Sequence, residues 1–324
     1  MSSAPQPDDR RSYERPERRS YLAKVARLYY LEEMNQREIA KKLNISVASV
    51  SRAISRAKEM DIVRISINEN LDRLGELEVA MERRWSLNEC LLVPRFETLA
   101  NTYREMAGRT TELLSRILGR GDTVGVSWGV TLKTVSENLG RIGLTDVDVV
   151  PIIGAMGTVE TGIYPNSIAR EFAERIGGRA YLMNTPAVVD TEEIKDSLTR
   201  DSNFQMVRQI WDRLSAVLLS VSALDEDTSA FRGGIFTEEE LRKLRDLGGV
   251  CATNFAIIDA EGKRVENPVS RRITNLPFEE LRKVRQVVLL AAGEHKTEPL
   301  RAALRGGVAT TLITDVECAE ALLR

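Results

Sequence analysis

Apolar positions along the chain follow two regimes. From Tyr21 to Met60 they recur at helical spacing, and beyond Gly121 they gather into short strand-length runs separated by helical stretches. In the first regime Leu22, Val25, Ala26, Tyr29 and Tyr30 lie three or four residues apart, which predicts an amphipathic helix ending near Glu33. Asn35 then precedes Gln36-Arg37-Glu38. An asparagine that accepts from the third amide of a helix, with a glutamate three residues on to reach back, is a capping box. The second helix turns Ile39, Ala40 and Leu43 inward and stops near Asn44. Ser46 is the next N-cap, and a third helix over 47–60 buries Val50, Ala53, Ile54 and Ala57. Its other face carries Ser49, Ser51, Arg52, Ser55 and Arg56. Past Met60, Ile62, Arg64 and Ser66 alternate with Val63, Ile65 and Ile67, the period of a strand.

Two short helices joined by a tight turn, with the small Ala40 where they cross, describe a helix-turn-helix, and the strand adds a wing. The third helix is then the one that enters the major groove of DNA, N-terminal residues nearest the base edges. Ser46, Ser49 and Arg52 are the first candidates there, Arg52 because a guanidinium forks onto guanine, and Ser51 shares their solvent face. Gln36, Arg37 and Arg56 suit backbone phosphates. A plain three-helix subdomain with a serine-rich face has the same periodicity. The capping box, the short turn and the small residue favour the DNA reading.

Leu71, Leu74, Leu77, Met81 and Trp85 form a further stripe, with Glu76, Glu78, Glu82 and Arg83 outside it. Such a helix serves either self-association or packing on its own domain. Another helix is expected from Tyr103 to Leu118. The second regime then gives strand candidates at 123–127, 147–153, 180–184, 217–222, 254–258, 287–292 and 308–313. Helical patterns at 167–176, 238–247, 297–304 and 315–323 lie between them. Repeated βα alternation predicts an α/β domain with a mostly parallel sheet covered on both faces.

Ligands of such sheets bind at the carboxyl ends of the strands, so the loops there carry the candidate chemistry. Gly125-Val126-Ser127-Trp128-Gly129-Val130-Thr131 runs from a strand into a helix, where converging amides favour an anion and Ser127 and Thr131 add hydroxyls. Gly154 and Met156 belong to a second strand-end loop, Ile153-Gly154-Ala155-Met156-Gly157. In Ala292-Gly293-Glu294-His295-Lys296 the lysine offers a point charge to a phosphate. Asp259 ends another strand and can accept from sugar hydroxyls.

Composition narrows the choice. The 324 residues favour two domains, and the division expected is an arm over 1–19, a head over 20–68 and a body over 69–324. Residues 1–64 hold 14 Lys and Arg against 9 Asp and Glu, a net of +5, within a chain whose overall charge is −2. A basic head on an acidic body suits a head that meets a polyanion. The three cysteines are scattered, with no metal-ligand or redox spacing, so neither a zinc site nor a disulfide framework is expected. No apolar run approaches the roughly 18 residues of a membrane span, and the polar N-terminus does not read as a secretory signal. A cytoplasmic protein without a cofactor is expected.

The motifs together resemble the SorC/DeoR-type family of sugar-binding bacterial regulators. The likeness runs from Tyr21 to the C-terminus and is carried by NQREIAKKLNISVASVSRAISRA with the IVRISI that follows, GDTVGVSWGVTL, AAGEHKTEPLRAALRGG and LITDVECAEALL. It implies a Rossmann-like effector domain similar to phosphosugar isomerase folds. It also implies operator DNA as partner, homodimers or homotetramers, and a sugar, polyol or sugar-phosphate effector. By resemblance Ser127, Gly129 and Thr131 fall in the phosphate loop, Lys296 on the phosphate-binding lysine, and Asp259 on an acid that contacts the sugar. Glu294 stands where the family often has a second glycine, and an acid beside an anion site weakens phosphate binding.

Two enzymatic readings compete. Gly125-Val126-Ser127-Trp128-Gly129 fits the G-x-S-x-G elbow, and the order Ser127, Asp259, His295 follows that of a serine hydrolase. That fold, however, builds several strands and a glycine-rich loop before the elbow. A phosphosugar isomerase needs a poised acid and base, for which Asp259 and Glu294 are the nominal pair.

Overall fold

A computed structural model describes residues 16–60, 62–63, 69–156 and 162–324. The chain divides into two compact units, Met1–Leu71 and Asp72–Arg324.

In the first unit helices α1 (Pro16–Tyr30), α2 (Gln36–Leu43) and α3 (Val47–Glu59) pack around Leu22, Val25, Ile39, Val50 and Ile54. The capping box is present: Asn35 Oδ1 accepts from the Glu38 amide at 3.0 Å, and Glu38 accepts from the Asn35 amide at 2.8 Å. Asn44, in the left-handed region at φ 52°, ends α2, and Ser46 Oγ accepts from the Ser49 amide at 3.1 Å to open α3. One boundary needs correction. Residues 16–19, expected in the arm, are already helical; a proline is favoured at a first helical position because its missing N–H has no partner there anyway. Ile62 and Val63 pack against the head core, while the rest of the expected wing strand lies outside the described residues.

The second unit runs α4 (Glu69–Trp85), β1 (Glu89–Val93), α5 (Leu99–Ile117), β2 (Thr123–Val126), α6 (Val130–Asn138), β3 (Asp148–Pro151), α7 (Pro165–Ile176), β4 (Arg179–Ala180), α8 (Glu192–Arg200) and α9 (Ser202–Trp211). It continues through β5 (Ala216–Leu219), β6 (Val221–Ala223), α10 (Ser229–Arg232), α11 (Glu238–Asp246), β7 (Gly249–Thr253), β8 (Ala256–Asp259) and α12 (Phe278–Leu281). The last elements are β9 (Gln286–Leu290), α13 (Thr297–Arg305), β10 (Thr311–Asp315) and α14 (Val316–Leu323). Among the described residues, one sheet has the order β1-β10-β9-β5-β2-β3-β4, every pair parallel, and β6-β7-β8 form a small antiparallel sheet.

Alternate side chains of the parallel strands feed two cores, as a period of two requires. Val124, Val149, Leu218 and Leu290 face Tyr103, Leu132 and Phe172, while Val150, Val217, Leu219 and Leu289 face Met81, Trp211 and Leu300. Burial on both faces explains why these strands read as continuous apolar runs. Leu74, Leu77, Met81 and Trp85 of α4 pack into the second of these cores, so that stripe serves its own domain.

Several strands depart from expectation. β1 was not foreseen, the 217–222 run breaks at Ser220 into β5 and β6, the 180–184 run yields only Arg179–Ala180, and β8 begins at Ala256 after a turn. Of these, the break at Ser220 matters most for the site. From β2 the chain proceeds outward through β3 and β4, then returns to β5 on the other side of β2 and leaves through β9 and β10. The carboxyl ends of β2 and β5 therefore form a topological switch point, where departing loops diverge and open a crevice.

Candidate functional site

A cavity of about 540 Å³ occupies that crevice, within the size range of small-molecule sites. Ser127 enters it from β2. Its amide still donates to the Leu218 carbonyl at 3.0 Å, which prolongs the pairing with β5, and its hydroxyl meets Asn254 Oδ1 at 3.2 Å. Gly129, at φ 121°, turns the chain into α6, whose first turn places Thr131 against the Tyr103 hydroxyl. Burial, partly offset by that hydrogen bond, pushes the Tyr103 phenol above its ordinary pKa.

The facing wall is the two-residue hairpin turn between β7 and β8. Asn254 and Phe255 both have positive φ, 44° and 63°, as a type I′ turn demands. Asparagine tolerates that region; phenylalanine does not do so readily. Asn254 Nδ2 donates to the Leu276 carbonyl at 3.1 Å, and the Phe255 ring stacks on Trp128.

At the strand break Ser220 presents a buried hydroxyl that finds no partner among the described residues, in a protein where most buried polar groups are paired. The loop after β9 supplies the charge. Gly293 donates its amide to Asp315 Oδ2 at 2.6 Å, and the same fully buried carboxylate caps α14 through the Cys318 amide at 2.8 Å, which fixes the loop bearing His295 and Lys296. The half-buried Lys296 donates from Nζ to the Val221 carbonyl, and burial lowers its ammonium to about 8. Desolvation, with the Lys296 charge adding to it, holds His295 below the ordinary imidazole value. Asp225 and Asp227 also line the cavity, Asp227 paired with Arg232 at 3.1 Å.

Of the residues expected from sequence, Ser127, Trp128, Gly129, Thr131 and Lys296 line this one cavity. Gly154, Met156 and Asp259 do not. Gly154 sits where a Cβ would come within 2.6 Å of the Ala187 backbone, so its lack of a side chain serves packing. Met156 is partly buried against the core cluster that holds Trp128. Asp259 Oδ1 accepts from the amides of Glu261 at 3.0 Å and Lys263 at 2.7 Å, which closes the turn after β8. Gly157 lies outside the described residues. Sequence reasoning missed Tyr103, Ser220, Asp225, Asp227 and the Asn254–Phe255 turn; an Asn between two short apolar runs was the available hairpin signal.

The hydrolase constellation is not assembled. The Ser127 hydroxyl pairs with Asn254 instead of His295, and Asp259 is committed to its own turn. Nor do the isomerase pair meet in the cavity, since neither Asp259 nor the exposed Glu294 lines it.

On the head, α3 presents a side-chain relay. Ser46 Oγ and Ser49 Oγ lie 2.8 Å apart, and Arg52 Nη2 donates to Ser49 Oγ at 3.2 Å. Ser51 is exposed beside them, and Arg56 pairs with Glu59 at 2.8 Å. Gln36 is half-buried and Arg37 exposed on the first turn of α2.

Comparison with known proteins adds the relationships. Residues 69–324 match the family model described as "Putative sugar-binding domain", and residues 25–60 match that of sigma-70, region 4. The chain is 28% identical to the deoxyribonucleoside regulator of Bacillus subtilis (strain 168), over 95% of this chain and 98% of that one. It is 29% identical to the sorbitol operon regulator of Klebsiella pneumoniae, over 94% of this chain and 97% of the regulator. The crystal structure of the full-length sorbitol operon regulator SorC from Klebsiella pneumoniae superposes with a TM-score of 0.73, at 27% identity, over 95% of this chain and 100% of the other.

Proposed function

The chain belongs to the SorC/DeoR-type family of sugar-binding transcriptional regulators, and on that premise we propose that it is a cytoplasmic, operator-binding regulator whose effector is a sugar, polyol or sugar phosphate held in the cavity between β2 and β5. The head over 20–68 reads double-stranded DNA, with Arg52 and the serines of α3 toward base edges and Gln36, Arg37 and Arg56 toward phosphates. The body over 69–324 binds the effector and assembles the protein as a homodimer or homotetramer, the symmetry that a palindromic operator mirrors.

The observation that carries the effector reading is the orphaned Ser220 hydroxyl at the switch point, in the same cavity as the Lys296 ammonium. A ligand hydroxyl completes Ser220, and the two N–H groups of Lys296 not engaged by Val221 meet an oxygen-rich or anionic end. The face formed by Trp128 and Phe255 suits the apolar carbon surface of a sugar ring or chain. Among the described residues the Ser127 hydroxyl pairs with Asn254 and no nucleophile–base pair lines the cavity, and the named relatives are regulators, which supports a binding site rather than a catalytic one.

A thermal-shift screen against sugars, polyols and their phosphates tests the reading. A ligand that binds only the folded protein stabilises it by about 2.7 kcal/mol at a hundredfold excess over its Kd. The expected result is a hit that is lost in Lys296→Ala for a phosphorylated ligand, or weakened in Ser220→Ala for a neutral one. A hit indifferent to both substitutions places the effector elsewhere.

A further inference from the structure

A second cavity of about 510 Å³ lies in the same unit, between α8, α9 and the segment that leads into α12. Nothing in the proposed function uses it. Its inner wall is aromatic, built from Phe204, Trp211, Phe255 and Phe278, and the Trp211 indole N–H is already spent on the Pro151 carbonyl at 3.0 Å. Thr199, Gln205, Ser270 and Asn275 add uncharged polar groups to the lining, and the charges come from its lysine, arginines and Asp196.

Four cations line the cavity, and they are not equivalent. Arg208 is matched by Glu280 at 2.6 Å and Arg264 by Glu279 at 2.7 Å. Lys195 and Arg200, both of α8, form no ion pair among the described residues. Asp196 of the same helix also lines the cavity, and Arg208 and Arg264 each meet a second acid, Asp212 at 3.3 Å and Glu266 at 3.6 Å, so the cations left for a ligand are Lys195 and Arg200. Aromatic surface rewards a ring, and the two cations outside any ion pair reward an anionic group.

We propose that this cavity is a second ligand site, specific for an anionic aromatic molecule whose acid group meets Lys195 and Arg200 while its rings enter among Trp211, Phe255 and Phe278. Phe255 also lines the first cavity, where it stacks on Trp128, so the occupants of the two sites share a wall. Binding at one is then felt at the other through that ring.

The test uses the full chain and two fluorescent probes with the same rings. One is 1-anilinonaphthalene-8-sulfonate, a monoanion; the other is N-phenyl-1-naphthylamine, which is neutral. The double substitution Lys195→Gln, Arg200→Gln changes one half-buried and one exposed position of α8, and Lys296→Gln controls for the first cavity. The expected result is saturable sulfonate binding that weakens at least tenfold in the double variant, persists in Lys296→Gln, and exceeds the neutral probe only when the two cations are present. Sulfonate affinity equal in wild type and double variant overturns the proposal, as does absence of saturable binding. Loss in Lys296→Gln alone assigns the probe to the first cavity and also overturns it, without touching the effector reading.

Discussion

Phe255 lies nearly flat on Trp128, with ring centroids 5.7 Å apart and planes inclined by 14°. The two rings come from elements far apart in sequence: Trp128 follows β2 of the parallel sheet, and Phe255 occupies the turn of the small antiparallel one. Their contact closes the cavity between the sheets, and it holds Phe255 in a backbone region that a phenylalanine seldom adopts.

That strain gives the first prediction. Phe255→Ala removes a buried ring and is expected to destabilise the protein by about 3–5 kcal/mol in urea unfolding. Phe255→Gly removes the same ring but relieves the positive φ. The glycine variant is therefore expected to be at least as stable as the alanine variant, the reverse of the order at ordinary positions. If glycine is worse by about 1 kcal/mol, the usual Gly–Ala difference, the turn is not strained.

Lys296 predicts a pH dependence of two signs. Burial lowers its ammonium from 10.5 to about 8, so it loses its charge as pH rises through that value. An anionic effector should bind with constant affinity below about pH 8 and progressively more weakly above it, while a neutral polyol keeps its affinity. For the unliganded protein the sign reverses. Between about pH 8 and 10.5 the unfolded chain binds more protons at this group than the folded one, so its contribution to stability rises with pH. Calorimetric titrations and urea midpoints from pH 7 to 10, compared with Lys296→Met, read both effects. A flat effector profile in the wild type removes the ammonium from the site.

On α3 the Ser49 hydroxyl sits between Ser46 and Arg52. Arg52→Ala is expected to cost about 1–3 kcal/mol of operator affinity, the scale of one bidentate base contact, and to relax preference at that base pair. Ser49→Ala leaves the guanidinium in place but frees its rotamers, so a smaller loss is expected. Mobility-shift titrations with operator and scrambled DNA separate base reading from phosphate binding. Equal losses on both DNAs make Arg52 a phosphate ligand.

How much of this was legible follows from where each signal resides. The head was readable in detail because its signals are local: Asn35 and Glu38 cap α2 from within four residues, and Ser46 caps α3. The parallel core strands were readable from their apolar runs. β1 was not, because the strand it pairs with, β10, lies more than two hundred residues away. The split at Ser220 was equally hidden, since an apolar run does not reveal that its two halves pair with different sheets. Asp259 resembled a site acid by its position at a strand end. Only the fold shows that its acceptor capacity is used by Glu261 and Lys263.

Gly154 separates the two meanings that a glycine after a strand can have. By sequence it belongs to a loop that approaches ligand; in the fold it lies against Ala187 and Thr274, and its amide donates to the Thr274 carbonyl at 2.9 Å. A methyl group there has no room, since besides Thr274 Oγ1 it meets the Ala187 backbone at 2.6 Å, which yields less than a side-chain tip. Gly154→Ala is therefore expected to destabilise the protein by about 1–3 kcal/mol, the scale of overpacking. Effector affinity of the folded fraction should stay within about twofold of wild type, because Gly154 lines neither large cavity of this unit. Urea unfolding and a calorimetric titration well below the lowered melting temperature measure the two quantities independently. A variant of unchanged stability that binds effector tenfold more weakly returns Gly154 to the ligand loop; loss of stability alone makes it a packing glycine.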